Sequence, residues 1–408
     1  MNSTYAHNIL GIHGIQHESA RRAMRSKSVA AGGILLMALS AGDALADPEV
    51  VLYGVIEAGG TYANPVASEA SGSSHRVAMT SGSVGGTYVG IRGTEDLGGG
   101  ASAIFTIEQA FDASNGTASD GQPMFVGLSH PDWGTVTLGL QYDAINDYLS
   151  PLTLTGSDGG TYFAHPFDAD NANASVLTRN TIKWASPDWG GIHVGGQYAV
   201  DSNSAGHQDW SVGAAYEHGP LTFGAAYARY ADRIAANVPG WGIRDALAVS
   251  SNDHDATVGT PSIDSRVGWQ VYGAGINYAI GEATLGAVYS HVRLDGRTAG
   301  GAGQVGAERI DLDNYEVNAR YQVMPAVRLS AGFTHTQGKL RASSSTQRTA
   351  WNQIGVQANY AMSRRTDLYV EGVHQRTIDD APLAYINGIG ASGTDEMSAL
   401  AVGVRHTF

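Results

Sequence analysis

The sequence of 408 residues predicts an all-β fold, a transmembrane antiparallel β-barrel of about sixteen strands. The first observation is a two-residue alternation. From Glu49 onward, apolar or aromatic residues alternate with polar or small ones in segments of about ten residues, as in strands between lipid and water. Secondly, the connections are alternately short and long, which is typical of the periplasmic and external ends of such barrels. Thirdly, 15% charged residues, 54 glycines and a mean hydropathy of -0.14 suit a wall that is apolar outside and polar inside.

The segment from Leu312 to Tyr321 illustrates the alternation. A charged residue facing lipid costs about 2–4 kcal/mol near the midplane. We therefore expect Tyr315 and Val317 to face lipid, and Glu316 and Asn318 to face the lumen. The predicted strands are Val50–Tyr62, Thr87–Asp96, Ala101–Phe111, Met124–Ser129, Thr135–Tyr142, Asn180–Ser186, Ile192–Val200, Trp210–His218, Leu221–Tyr230, Trp269–Ile280, Ala283–Leu294, Leu312–Val323, Val327–Gln337, Ala350–Tyr360, Asp367–Arg376 and Met397–Phe408.

An even number of strands puts both chain ends in the periplasm, where the last strand can pair with the first and leave no sheet edge. The last predicted strand alternates regularly and ends on Phe408. A C-terminal phenylalanine on such a strand resembles the assembly signal of outer-membrane barrels. We therefore expect Phe408 to act in barrel closure and assembly.

The first 46 residues have the features of an export signal. Four basic residues precede the apolar run Val29–Leu39, and Ala46 ends a small-residue cleavage site. We expect residues 1–46 to be an N-terminal extension plus signal peptide, with translation starting at Met24 and cleavage after Ala46. Cleavage would remove four basic and two acidic residues and take the net charge from -14 to -16. Residues 47–408 would form the barrel.

The stretch from Asp143 to Leu177 lacks strand alternation and contains no lysine or arginine. A long loop without secondary structure inside a compact domain is usually functional or disordered. We predict that this loop has no secondary structure of its own and folds into the barrel to narrow a water-filled pore. Its candidate pore-lining acids are Asp143, Asp147, Asp158, Asp168 and Asp170.

Other chemistries find little support. The absence of cysteine excludes disulfides, thiolate catalysis and cysteine zinc sites. The acidic net charge disfavours nucleic acid as a partner, because phosphate binding needs a basic patch. No nucleophile motif frames the serines and histidines, so we predict no enzyme activity, and we assign no metal site. The nearest approach to one is Asn252–Asp255, where a calcium site is the weaker alternative to solvated carboxylates.

Several segments together point to one family. The most specific is Gly90–Gly100, followed by Phe105 and Glu108. Leu52–Gly59 matches a first strand, with Glu57 where aspartate is more usual. These segments resemble the general trimeric porins of β-proteobacterial outer membranes, and the resemblance covers essentially all of residues 47–408. Further matching segments are Val126–Leu128, Gly134–Gly139, Asn180–Pro187 and Val402–Phe408.

The resemblance implies a homotrimer of sixteen-stranded barrels in the Gram-negative outer membrane, reached through the periplasm. Each barrel would be a pore for passive diffusion of ions and small hydrophilic solutes, with no cofactor and no reaction. The third external loop, residues 143–177, would be the constriction. The expected partners are outer-membrane lipid and lipopolysaccharide, the barrel assembly machinery and periplasmic chaperones.

Charges of opposite sign on facing walls would create a transverse field in the constriction, strengthened by its low-dielectric walls. Arg92, Arg179 and Lys183 are the candidate bases of the wall, and Glu108 joins the loop acids. Alternation predicts that Arg179 and Lys183 share one face. Where the family usually has an arginine after Gly139, this sequence has Leu140.

With one arginine missing and an acidic chain, we predict a weak preference for cations. A substrate-specific channel remains an alternative, with Tyr148, Tyr162 and Phe163 as candidate members of an aromatic ladder in the pore. A surface adhesin or interaction barrel that uses its external loops is a further alternative.

Overall fold

The computed structural model describes residues 49–68, 72–119, 121–200, 208–234, 266–297, 309–342, 345–379 and 383–408. The described strands form one antiparallel sheet in which the last strand pairs with the first, so the sheet closes. Two of the sixteen barrel strands, β2 and β4, are each interrupted once. The predicted all-β barrel of sixteen strands is thus confirmed.

The barrel strands are β1 (Glu49–Ser68), β2 (Gly72–Thr80 and Tyr88–Gly98), β3 (Ala101–Phe111), β4 (Ala118–Ser119 and Met124–His130), β5 (Gly134–Gln141), β6 (Thr178–Ala185), β7 (Ile192–Ala199), β8 (Trp210–His218), β9 (Leu221–Ile234), β10 (Arg266–Ile280), β11 (Ala283–Arg297), β12 (Arg309–Met324), β13 (Val327–Ala342), β14 (Ser345–Ala361), β15 (Thr366–Asp379) and β16 (Glu396–Thr407). A short ribbon, Tyr385–Ile386 with Gly390–Ala391, lies between β15 and β16. No helix among the described residues is long and apolar enough to cross a membrane.

All the predicted strands are present, but the first half of β2 was missed. Gly72–Thr80 lies in a serine- and glycine-rich stretch that hides its alternation. Between the two halves of β2, residues 81–87 leave the sheet. The buried carboxylate of Glu57 holds this break, because it accepts hydrogen bonds from the backbone N–H groups of Val84 (2.9 Å) and Gly85 (2.7 Å).

The two faces of the wall differ as predicted. In β12, Tyr315 and Val317 are about half exposed, whereas Glu316 and Asn318 on the opposite face are buried. The seam between β16 and β1 continues to the C-terminus. The backbone of Phe408 pairs with that of Gly54 in both directions, and its ring occupies the space that a Cβ on Gly54 would need.

The segment between β5 and β6, residues 142–177, has secondary structure of its own, contrary to our prediction. Its five single turns are interrupted by proline and glycine, so none is long enough to show a helical period in the sequence. Two of the turns are π-helical and three are 3₁₀-helical. They are Ile145–Leu149, Ser150–Leu152, Thr155–Gly159, Thr161–Phe163 and Pro166–Asp168.

This segment packs against the inward face of the wall, opposite the exposed apolar residues. Ile145, Leu149 and Leu152 form a buried cluster with Trp269 of β10 and other apolar residues of β8–β14. Small residues in the strands make this close approach feasible. A Cβ on Gly224 of β9 would lie 2.0 Å from the carbonyl oxygen of Tyr148. The apolar core of the protein therefore lies between this segment and the wall.

Candidate functional site

All five predicted loop acids are buried, and three of them, Asp143, Asp168 and Asp170, are completely buried and hydrogen bonded. Asp143 accepts hydrogen bonds from the hydroxyl of Tyr230 in β9, the side chain of Asn171 and the backbone of Asn146. Asp168 accepts hydrogen bonds from the backbone N–H groups of residues 173 and 175. Burial raises the pKa of Asp143, and it raises that of Asp168 to about 7. These two carboxyl groups hold turns together and do not line a cavity described below.

The third completely buried acid, Asp170, belongs to a charged cluster at the barrel wall. The Nδ1 of His165 lies 2.6 Å from Asp170, and its Nε2 lies 3.0 Å from Glu316 of β12. Ser290 of β11 donates a hydrogen bond to Asp170, and the backbone N–H of Leu154 donates one to Glu316. The cluster therefore fastens the loop to two strands.

The ionisation of this cluster follows from its geometry. Burial alone would lower the pKa of His165, but the carboxylates of Asp170 and Glu316 outweigh it and hold the pKa well above its usual value. Burial alone would raise the pKa of Asp170, but the neighbouring imidazolium and the hydroxyl of Ser290 lower it. His165 is consequently an imidazolium between two carboxylates at neutral pH.

The other two acids reach the water-accessible space. Asp147 lies 2.5 Å from Lys183 of β6, and burial raises its pKa to about 6 despite the attraction of that lysine. Asp158 lies 2.8 Å from Arg328 of β13 and accepts a hydrogen bond from Ser330. Each of these carboxylates thus faces a cation on the wall.

A cavity of about 660 Å³ separates the loop from strands β1–β6. Arg92, Glu108, Asp147 and Lys183 line it together. Tyr53 of β1 donates a hydrogen bond of 2.5 Å to Glu108, and the guanidinium of Arg92 lies 5.1 Å from the centre of the tyrosine ring. The loop contributes Asp147, and the wall contributes Arg92, Glu108 and Lys183. The cavity is therefore lined by two cations and two carboxylates from these four residues.

A second cavity, of about 630 Å³, lies under the loop near the short turns after β8 and β10. Pro151 and Gly156 line both cavities, so the two adjoin at the loop. The charged residues of the second cavity are Asp158, Glu217, Glu282, Arg320 and Arg328.

A bulge between β5 and β6 changes two expectations. Gln141 pairs with Thr178 and Gly139 with Thr181, so β6 has one extra residue, and Asn180 adopts a φ of 55°. Arg179 therefore lies opposite Leu140. Its side chain is not on the same face of β6 as that of Lys183, although regular alternation predicted that the two would share a face. It is exposed and lines neither cavity.

Leu140 itself points away from the lumen. It pairs with Met124, whose neighbours on that face are the exposed Val126 and Leu128. Thr137 and Gln141 face the other way and hydrogen bond to each other. An arginine at position 140 of this chain would thus face the apolar surroundings, and Leu140 does not account for a missing charge in the pore.

Several site residues were not predicted. Tyr53 and Arg328 lie on strands whose alternation already put them inside, so a search for inward aromatic and basic residues would have found them. His165 carried no local signal, because its partners are 5 and 151 residues away in the chain. No group of three or more metal-binding side chains occurs in the part of the chain that the structure describes. The Asn252–Asp255 stretch lies outside that part.

Comparison with known proteins agrees with this architecture. The model of the Gram-negative porin family matches residues 32–380. An outer membrane porin protein of Bordetella pertussis is 24% identical over 421 residues, covering 91% of this chain and 98% of the relative. A major outer membrane protein P.IB of Neisseria gonorrhoeae is 25% identical over 385 residues, covering 92% and 99%.

Solved structures share the fold. An anion-selective porin from Comamonas acidovorans has a TM-score of 0.67 at 19% identity, covering 89% of this chain and 100% of that one. The trimer form of OmpT, an outer membrane protein of Vibrio cholerae, has a TM-score of 0.65 at 16% identity, covering 88% and 99%. The chain belongs to the Gram-negative porin family, and its barrel is that of an outer-membrane porin.

Proposed function

We propose that the protein lets ions and small hydrophilic solutes diffuse passively through the space between residues 143–177 and strands β1–β6. The observation that carries this proposal is the cavity of about 660 Å³, which is lined by charges of both signs. Residues 143–177 are the constriction in this proposal. Asp147 lies on the loop side of the cavity, and Arg92 and Lys183 lie on the wall side.

The loop acids divide into two roles. Asp147 and Asp158 contribute to the electric field in the water-filled space, because both line cavities. Asp143, Asp168 and Asp170 keep the loop in place through buried hydrogen bonds. The low-dielectric surroundings strengthen both kinds of interaction relative to bulk water.

We propose a weak selectivity among ions. In the larger cavity, the charges of the two cations and the two carboxylates cancel. Only the acidic net charge of the chain therefore still favours the passage of cations over anions. The Comamonas acidovorans porin is described as anion-selective. Reversal potentials in planar bilayers under a KCl gradient test this point. We expect a small reversal potential with the sign that indicates a preference for potassium over chloride. A clear preference for chloride would contradict the proposal.

A substrate-specific channel is the second candidate. Tyr148, Tyr162 and Phe163 do not support it, because they are buried in the apolar clusters. Tyr53, Tyr88, Phe125 and Tyr142 do line the larger cavity. Liposome swelling with a panel of sugars separates the two functions. Dependence on solute size alone supports a general porin, whereas saturation by one sugar supports a specific channel.

We further propose the assembly and environment that the family suggests. The protein is a homotrimer that contacts outer-membrane lipid and lipopolysaccharide after insertion by the barrel assembly machinery with periplasmic chaperones. Residues 1–46 are removed on export, and Phe408 acts in assembly. Single-channel recording tests the trimer, because three pores should give current steps in groups of three. Isolated single steps throughout would contradict it.

A further inference from the structure

The inner face of β1–β3 carries two opposite charges that do not pair with each other. Gly90 of β2 lies opposite Glu108 of β3, and Arg92 lies opposite Thr106, so Arg92 and Glu108 are diagonal neighbours on one face. Diagonal neighbours in an antiparallel sheet are about 7–8 Å apart, which is within the reach of long side chains. The two nevertheless form no ion pair, and the side chain of each contacts Tyr53 of β1 instead.

The side chain of Tyr53 crosses β2 to make both contacts. Tyr53 is the partner of Gly90 on β1, and its hydroxyl donates a hydrogen bond of 2.5 Å to Glu108. Only a glycine leaves room for this crossing. A Cβ at position 90 would lie 2.6 Å from Cζ of Tyr53 and 3.0 Å from Cγ of Glu108.

Two neighbours of Gly90 on β2 pack against the tyrosine ring. Tyr88 meets it edge to face, with ring centres 6.3 Å apart. The guanidinium of Arg92 lies over its face, 5.1 Å from the centre, where the electrons of an aromatic ring attract a cation. Arg92 itself stays exposed and lines the larger cavity together with Glu108. The ring is therefore held in place between the two charged groups.

We propose that Tyr53 is a positioning residue that keeps the charges of Arg92 and Glu108 apart on the wall of the larger cavity. Its hydroxyl fixes the carboxylate, and its ring holds the guanidinium, so that neither charge neutralises the other. Without the ring, the two side chains would close into an ion pair over Gly90. The loop carboxylate of Asp147 does not compete for Arg92, because it lies 2.5 Å from Lys183.

The test measures the freedom of the Arg92 guanidinium by its reaction with phenylglyoxal, a reagent that modifies unpaired arginines. The full-length protein is modified in detergent, and peptide mass spectrometry gives the rate at each arginine. We compare the unmodified sequence with Tyr53→Ala, Tyr53→Phe and the double variant Tyr53→Ala/Glu108→Gln. Arg364, which is exposed in the turn between β14 and β15, is the internal control in every sample.

We expect Arg92 to react about fivefold more slowly in Tyr53→Ala, the upper end for an ion pair that water can reach. The double variant should restore the original rate, because it removes the carboxylate that captures Arg92. Tyr53→Phe keeps the ring and should react like the unmodified sequence. If Tyr53→Ala does not fold, Gly90→Ala gives the same test, since it displaces the ring and leaves every polar group in place.

An unchanged or faster rate in Tyr53→Ala overturns the proposal, because loss of cover alone would expose the guanidinium further. A slow rate that Glu108→Gln does not restore also overturns it, and so does an equally slow rate in Tyr53→Phe. The inference rests on the proposed pore only for the use of these charges in permeation, and the modification needs no current. Reversal potentials before and after modification test that use separately. No shift despite complete modification of Arg92 would count against the pore and not against the role of Tyr53.

Discussion

At the scale of single residues, the contact between Asp147 and Lys183 is the one that our proposal ties most directly to permeation. They lie 2.5 Å apart, one on the loop and one on β6, and both line the larger cavity. Because burial raises the pKa of Asp147 to about 6, its side chain gains or loses its charge within the pH range of ordinary experiments. The field in the pore should therefore depend on pH.

We predict that acidification shifts selectivity toward anions with a midpoint near pH 6. Burial raises the pKa of Asp147 above its unfolded value, so the carboxyl is neutral below that midpoint and charged above it. Below pH 6, Lys183 loses its counter-charge. Reversal potentials in a KCl gradient at pH 5 and pH 7.5 measure the shift. Asp147→Asn should be anion-shifted at both pH values, and a midpoint that survives in this variant would refute the assignment.

Leu140 provides a second residue-level prediction. Because it faces outward beside Met124, Leu140→Arg should leave the reversal potential unchanged. The variant should be less stable, by about 1 kcal/mol or less if the site is near the interface and about 2–4 kcal/mol near the midplane. Urea unfolding in lipid vesicles measures the loss. Thr137→Arg, which points to the lumen, is the matched control and should move selectivity toward anions. A similar shift in Leu140→Arg would contradict the assigned face.

At the scale of elements, the loop is held by polar contacts whose partners lie far apart in sequence. His165 bridges Asp170 to Glu316, and Asp158 bridges to Arg328. The sequence predicted the position of the loop between strands, because alternation stops at Asp143 and resumes near Arg179. It did not predict the single turns or these contacts, since neither leaves a periodic signal. The sequence likewise did not predict the bulge at Asn180, because the alternation rule assumes that each residue of one strand lies opposite a single residue of the next.

We predict that His165→Ala loosens the loop. Removing one partner from a buried charged cluster leaves uncompensated carboxylates and costs about 3–5 kcal/mol. The expected results are noisier and larger single-channel currents in a barrel that still folds. His374→Ala removes a partly exposed histidine on β15 and is the control. Quiet currents of unchanged size in His165→Ala would show that other contacts suffice to hold the loop.

The charged cluster of His165, Asp170 and Glu316 also predicts that the loop becomes less firmly held at alkaline pH. The pKa of His165 is raised in the folded protein, so its stabilising charge is complete below the unfolded value of about 6.5 and is lost as pH rises through the folded value. Current noise in the unmodified channel should therefore increase at alkaline pH. His165→Ala should be noisy at every pH, and a wild-type channel whose current noise does not rise at any alkaline pH at which the barrel stays folded would contradict this role.

At the scale of the whole molecule, the barrel closes where the first and last strands meet. Ten residue pairs join β1 to β16, and Phe408 extends the seam by packing over Gly54. The sequence predicted this closure well, because an even strand count and a regular last strand are long-range signals. The apolar inner residues such as Trp269 were less predictable, since only the loop that covers them explains why they face inward.

We predict that Phe408→Ala lowers the amount of folded barrel in the outer membrane without changing the conductance of the barrels that do assemble. The ring fills space at the seam and touches neither cavity. Heat-modifiable mobility on gels measures the folded fraction, and bilayer recording measures conductance. Phe408→Tyr, which keeps the ring, is the control. Normal yield with altered conductance would place the role of Phe408 elsewhere.

The buried cluster between the loop and β8–β14 has a consequence for the pore. Ile145, Leu149 and Trp269 are inaccessible to solvent, and the indole N–H of Trp269 donates a hydrogen bond to the backbone of Ala169 in the loop. These contacts are between parts of the protein and involve no lipid. In our proposal, the width of the channel is therefore fixed by packing like that in the interior of a water-soluble protein. Bilayers of different thickness or detergents of different chain length should leave its conductance the same.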